Sequence, residues 1–298
     1  MTRRRGRFRT ALLLILAVSL GAVATWTLRG CRKKKEERPV PAAAPTPAPT
    51  PALAPRTSGR MPADFEAVDG RASAGVVALV LDDLGYDERA LETLARWDAP
   101  IAVAVIPSAP FARRAVSLAK GKGWDLLVHL PMEPGSGPSE VEAVGESDDD
   151  AAIRAKVLAA LEGTPGAVGV NNHQGSKATA DVRVVRAVLG VVKDRNLFFL
   201  DSRTTGASVV GAQAAALHVP FLHRDVFLDD VAAETAARGG APEALDAAWA
   251  RALGLAAKSG QAIVIGHPRR DTLAFLEKKL ASERGAGASL VRVSELVP

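Results

Sequence analysis

From residue 76 onward, short apolar runs alternate with stretches in which apolar residues recur every three or four positions. The apolar runs are Val76–Leu81, Ile101–Ile106, Asp125–Leu130, Ala167–Val170, Leu197–Leu200, Pro220–Leu222 and Ala262–Ile265. Runs rich in Val, Ile and Leu, each followed by a helix-length stretch, are the pattern of parallel strands buried on both faces. The periodicity predicts helices near 87–97, 110–122, 149–162, 181–194, 208–217, 242–258 and 270–281. The segment "SLVRVSEL" is a candidate final strand. Seven such units predict an α/β fold with a (β/α) barrel of about seven parallel strands, complete or incomplete, rather than an open doubly wound sheet.

Upstream the pattern is different. Ala11 to Leu28 carries no charge and is flanked by "RRRGRFR" and "RGCRKKKEER". Eighteen uncharged residues are long enough for a short membrane span. Residues 1–38 are therefore expected to anchor the chain in a membrane, with the body on the periplasmic side. A cleaved, secreted form and a lipid anchor at Cys31 are the alternatives. Residues 39–71 begin with the Pro/Ala/Thr-rich run "PVPAAAPTPAPTPALAP", which favours extended chain and is expected to act as a linker. The body is then residues 72–298.

Charge sharpens this division. The net charge is +5, but residues 1–38 hold 11 Arg or Lys against 2 Glu, a balance of +9 that leaves −4 on the rest. A mildly acidic body argues against a nucleic-acid partner. No phosphate loop and no GxGxxG follows any predicted strand, which argues against a nucleotide. With one cysteine, the chain has neither an intrachain disulfide nor a cysteine-based zinc site.

Ligands in parallel α/β folds bind at the C-terminal ends of the strands. Here those ends carry Asp82 and Asp83; His129 and Glu133; Asn171, Asn172 and His173; Asp201, Ser202 and Arg203; His223, Arg224 and Asp225; and His267. Four of the five histidines lie there, whereas His218 precedes its strand and is expected at the surface or capping a helix. Neighbouring residues of a regular strand point to opposite faces, so Asp82 and Asp83 share one site only if the chain turns, a role expected of Gly85. Their repulsion calls for a cation, and a carboxylate with imidazoles is a common zinc set. Arg203 or Arg224 is a candidate to neutralise the other carboxylate. Asp87 is the better candidate helix cap.

The segments "LVLDDLGY", "HLPMEP", "PGAVGVNNHQGS", "LFFLDSRTT", "RDVFLDD" and "IGHP" together resemble the divergent polysaccharide deacetylase family, a branch of the NodB-homology carbohydrate esterases. The resemblance spans roughly residues 75–281 and implies a distorted (β/α) barrel that removes acetyl groups from an N-acetylated polysaccharide or peptidoglycan-type glycan. It further implies Asp82 as catalytic base, Asp83 and His129 as ligands of a divalent metal, most simply zinc, and His267 as catalytic acid. Glu133 stands where the second histidine of an HxxxH motif is expected, so either Glu133 or, preferably, His173 completes the ligand set. Asp201 is a candidate to orient His267 or a ligand. The main family's Arg-Pro-Pro and Asp-Trp segments are replaced by "NNHQGS" and "DSRTT". Their replacement leaves a second reading open, a non-catalytic glycan-binding or scaffold protein of the envelope.

Overall fold

Every ladder of the sheet is parallel, and its strands lie in the order β6 (Phe221–His223), β5 (Phe198–Asp201), β4 (Gly169–Gln174), β3 (Asp125–Met132), β2 (Ala102–Val105), β1 (Val76–Leu84), β8 (Gln261–Gly266) and β7 (Val226–Phe227), with β9 (Ser289–Val291) paired to β1 as well. The structure, a computed structural model, describes residues 75–229, 241–282 and 288–298. In chain order these form β1 (Val76–Leu84), α1 (Glu88–Leu94), β2 (Ala102–Val105), α2 (Ala112–Lys122), β3 (Asp125–Met132), α3 (Asp150–Gly163), β4 (Gly169–Gln174) and α4 (Val182–Asp194). There follow β5 (Phe198–Asp201), α5 (Val210–Leu217), β6 (Phe221–His223), β7 (Val226–Phe227), α6 (Ala241–Ser259), β8 (Gln261–Gly266), α7 (Arg270–Ser282) and β9 (Ser289–Val291). The predicted anchor and linker lie outside the described residues. No helix among the described residues is long and apolar enough to cross a membrane.

The ring is distorted at one seam. Its outermost strands, β6 and β7, are consecutive in sequence, and only Arg224 and Asp225 separate them. Arg224 N–H donates to Asp201 O on β5, while Asp225 N–H donates to Ile263 O on β8. Asp225 Oδ2 also accepts from Ile263 N–H at 2.8 Å. The chain itself crosses the seam: β6 falls on the strand predicted at 220–222, and β7 is a further short strand that the pattern did not predict.

Strand alternation sorts the side chains into an inner and an outer set. Ala78, Val80, Ala102, Ala104, Leu127, Leu200, Leu222, Ile263 and Ile265 make one cluster, joined by Val293 of a C-terminal 3-10 turn. Their sequence neighbours Val77, Leu79, Leu81, Val103 and Val105 instead meet Leu91, Leu94, Ala115, Leu245, Trp249, Leu273 and Leu276 from α1, α2, α6 and α7. Val128, Leu130, Val170 and Phe199 meet α3, α4 and α5 in the same way. Each large aliphatic side chain buried here contributes about 1.5–3 kcal/mol. Asp87, Asp149 and Asp181 cap α1, α3 and α4 through backbone N–H groups, each cap contributing ~1 kcal/mol. His218 is the exposed C-cap of α5, in the left-handed conformation.

Candidate active site

The site continues the inner face beyond its last apolar layer. On β1 the inner positions are Ala78 and Val80, and the next is Asp82. On β3 Leu127 is followed at the same parity by His129, and on β5 Leu200 by Ser202. On β8 Ile263 and Ile265 lead to His267. On β4 the same parity gives Asn171 and His173. Period-two alternation thus carries polar groups from five strands, two of them from β4, to the mouth of the barrel.

Asp83 has the opposite parity and reaches the site by a bulge. The ladder between β1 and β2 pairs Leu81 with Val103 but Leu84 with Val105, so one extra residue is inserted at the aspartate pair. Asp83 takes it up with φ 56°, a left-handed conformation that is costly for most side chains and milder for Asp. The turn expected at Gly85 therefore occurs two residues earlier, inside the strand. Gln174 and Arg203, at the exits of β4 and β5, are left-handed too, so three such residues gather on this face.

Asp83 Oδ1 lies 3.0 Å from His129 Nε2 and 2.9 Å from His173 Nδ1, and the two ring nitrogens are 3.3 Å apart. His129 is almost wholly buried, and its Nδ1 lies 2.9 Å from Asn171 Oδ1. Asn171 Nδ2 donates to Asp82 Oδ1 at 2.7 Å, which leaves the amide oxygen facing His129. With Asn171 set in this way, Nδ1 of His129 carries a proton and Nε2 is the ring atom that faces the cluster. Three electron-rich atoms then converge with nothing but a proton or a metal cation able to hold them together. One donor atom each from Asp83, His129 and His173 lies within 4.8 Å of the others, as a shared cation requires. A carboxylate with two imidazoles fits zinc and leaves coordination positions open.

The electrostatics separate the two aspartates. Asp82 is 2% exposed, and burial pushes its carboxyl up against the opposing pull of the His129 and His267 imidazoles. Burial also acts to raise Asp83, but hydrogen bonds from His129 and His173 and the imidazole charges outweigh it and hold that carboxyl far below the usual range. For His129 burial favours the neutral ring, yet the charge of Asp82 and the bond to Asp83 win, and its pKa is pushed up to about 9. His267 is raised as well, because the hydrogen bond and charge of Asp229 outweigh burial.

Asp229 is the residue that sequence reasoning left without a role. Its Oδ1 lies 2.8 Å from His267 Nδ1, and its Oδ2 accepts from His267 N–H and Thr272 Oγ1, both at 2.8 Å. It is 1% exposed, and although burial acts to raise it, its bonds to His267 hold the carboxyl low. His267 Nε2 is thereby turned toward the aspartate pair, 3.8 Å from Asp83 Oδ2. Asn171, noted only as a polar strand end, links His129 to Asp82. For Asp229 the available signal was an aspartate directly after "VFL", the same apolar-run-to-carboxylate step as "VLDD".

The other candidates are placed elsewhere. Glu133 pairs with Lys177 at 2.6 Å and accepts from Glu146 N–H, outside the Asp83–His129–His173 group. Asp201 does not orient His267: it accepts from Arg203 N–H and Ser208 Oγ, both at 2.7 Å. Asn172 ties β4 to β5 through Ser202 N–H, and Asp225 ties the seam to Ile263. Arg224 donates to Ser202 O and Arg203 O, and its guanidinium lies 3.6 Å over Phe227, which in turn stacks on His267. Arg203 lies beside His223. The groups that offset charge at Asp82 are imidazoles and the Asn171 amide rather than either arginine.

Comparisons with known proteins agree with this architecture. The chain is 38% identical over 213 residues to an uncharacterised protein of Haemophilus influenzae, covering 68% of this chain and 70% of that one. It is 33% identical over 232 residues to the uncharacterised protein YibQ of Escherichia coli K12, covering 78% and 70%. Among solved structures, an uncharacterised protein of Agrobacterium tumefaciens superposes with a TM-score of 0.69 at 23% identity, over 76% of this chain and 90% of that one, a likeness of fold. The family model for divergent polysaccharide deacetylases matches residues 79–297, from within β1 to the C-terminal turn. The chain belongs to the divergent polysaccharide deacetylase family.

Proposed function

We propose that this protein is a metal-dependent hydrolase that removes acetyl groups from an N-acetylated polysaccharide of the cell envelope. The observation that carries the reading is the convergence of Asp83, His129 and His173 on one point, with Asp82 and His267 beside it. A divalent cation held by those three residues, zinc by its donor set, would supply Lewis acidity to a water and to the acetyl carbonyl.

The chain's own groups divide the remaining work. Asp82, fixed through one oxygen by Asn171, has its other oxygen 3.8 Å from His129 Nε2, where it can take a proton from an attacking water. His267, locked by Asp229, presents Nε2 to the same space and gives its proton to the departing amine. The hydrogen bond and charge of Asp229 raise the affinity of His267 for that proton. Residues 11–28 would hold the body at the membrane, on the periplasmic side, with residues 39–71 as the spacer toward an external polymer.

The test is metal analysis of the purified protein together with acetate release from N-acetylated glycans, before and after chelation. Bound metal with release that stops on chelation and returns on adding zinc is expected. Release unaffected by chelation overturns the metal assignment. One observation favours a second reading, in which the protein binds glycan without cleaving it: "NNHQGS" and "DSRTT" stand where the main family carries its Arg-Pro-Pro and Asp-Trp segments. Metal and glycan binding with no acetate release would decide for that reading.

A further inference from the structure

Asp229 holds His267 at one nitrogen, and a bond to one ring atom still lets the imidazole plane tilt. The face of that ring meets a second residue of the same segment. Phe227 stands two positions before Asp229, and its ring centre lies 5.9 Å from that of His267 with the planes 23° apart. Phe227 and Asp229 thus act on one imidazole from β7 and its continuation, the first on the ring face and the second at Nδ1.

Phe227 itself sits on a weakly tied strand. β7 is two residues long and pairs with β8, and among the described residues no ladder joins it to β6 across the seam. A side chain makes that connection instead. Leu222 belongs to the inner cluster, and Arg224 follows it at the same parity. The Arg224 guanidinium lies 3.6 Å from the centre of the Phe227 ring, which also packs against the inner cluster. The guanidinium is fixed from the other side of the seam: Nε donates to Ser202 O at 2.7 Å and Nη2 to Arg203 O at 3.0 Å, both at the exit of β5. A planar guanidinium can make both bonds and still lie flat on an aromatic ring, which a lysine ammonium cannot.

A continuous line of contacts therefore runs from two carbonyls of one edge of the ring, through Arg224 and Phe227, to His267 on β8. The proposed reaction gives Arg224 and Phe227 no proton to carry and no substrate atom to touch.

We infer that Arg224 and Phe227 are positioning residues for the acid: the guanidinium, clamped to the exit of β5, holds the Phe227 ring against His267 and so keeps Nε2 aimed at the departing amine. The inference rests on the proposed function and adds two residues to its proton-donating step. As the C–N bond breaks, its electron pair goes to nitrogen together with the proton from His267 Nε2. An amine needs that proton in order to leave, whereas a phenolate of low basicity leaves without it. Misplacing the acid should therefore slow release from an acetamide and spare release from an activated aryl acetate.

The experiment measures acetate release by the full-length protein from a tetrasaccharide of N-acetylglucosamine and from para-nitrophenyl acetate, with metal content measured in parallel. Phe227→Leu should lower kcat for the glycan about 10–100-fold while KM, metal content and aryl acetate turnover stay unchanged. Phe227→Tyr keeps the ring and should restore glycan turnover. Arg224→Gln should show a smaller loss of the same kind, and Arg224→Lys should recover only part of it. The Phe227 and Arg224 variants reach the same step by separate contacts, so one tests the inference if the other fails to fold. Equal losses on both substrates would show that these residues merely support the barrel, and undiminished glycan turnover in Phe227→Leu would show that the ring is not needed. Either result overturns the inference and leaves the deacetylase reading standing. No acetate from the glycan with the wild-type protein overturns that reading, and this inference with it.

Discussion

The exits of β1, β3 and β4 and the exits of β5 and β6 look alike in sequence, since each ends an apolar run in charged residues. In the folded chain they behave differently. At β1, β3 and β4 the side chains of Asp83, His129 and His173 turn toward one another and leave lone pairs converging on a shared point. At β5 and β6 the charges are turned to the backbone: Asp201 holds a turn, Arg224 holds two carbonyls and Asp225 holds the seam. The first group accumulates unsatisfied charge that needs a cation, and the second dissipates it. A polar strand end is thus a site only where parity, or a bulge that resets parity, directs the side chain inward.

The sharpest test of this contrast lies within the aspartate pair. Asp83→Asn should lose more than about a hundredfold in metal affinity, since even outer partners of a metal site cost 10–100-fold. Asp82→Asn should keep its metal and lower acetate release by about 10²–10⁴. Equal metal content in the two variants would remove the proposed division between holding the cation and using it.

Asp229→Asn probes the opposite wall of the mouth. Asp229 raises the pKa of His267, so removing its charge lowers that pKa and the acid form is lost at lower pH. The alkaline limb of the activity profile should move down in pH, with about a 10–100-fold loss in kcat and metal content unchanged. A limb that stays in place would show that His267 is not the group it reports.

Most of the fold could be read in advance because parallel strands and amphipathic helices have different periods, and each predicted helix lies where one is observed. The site was legible in part for the same reason: the inner parity of β1, β3 and β8 points from Val80, Leu127 and Ile265 to Asp82, His129 and His267. Asp83 was legible as a residue but not as a geometry, because a bulge leaves no mark in a hydrophobic pattern. Asp229 and Asn171 were obscured because their work is done across the sheet, on residues 38 and 42 positions away. The seam misled in another way, since β7 is only Val226–Phe227, too short beside Arg224 and Asp225 for its pattern to mark a strand.

On the dissipating side, Asp201→Ala should be a stability variant. It removes the acceptor of two hydrogen bonds at a 4% exposed position, a loss of about 1–3 kcal/mol. Thermal unfolding should fall by several degrees while the metal stays bound. Metal lost from a protein that still unfolds cooperatively would mean that the two groups of strand exits are coupled.

The smallest effects are expected where charge is both satisfied and distant. Glu133 is the instructive case, because it stands where a metal-binding histidine was a natural expectation and His173 occupies the geometric position instead. Lys177 and the N–H of Glu146 take up its carboxylate, and Lys177 together with Glu146 holds the loop after β3. Glu133→Gln keeps an oxygen for the Glu146 N–H and loses only a solvent-screened ion pair. Metal content and acetate release should match the wild-type protein within error, beside an equally silent His218→Ala at the exposed cap of α5. A Glu133→Gln protein that loses metal would return this loop to the ligand set and place His173 outside it.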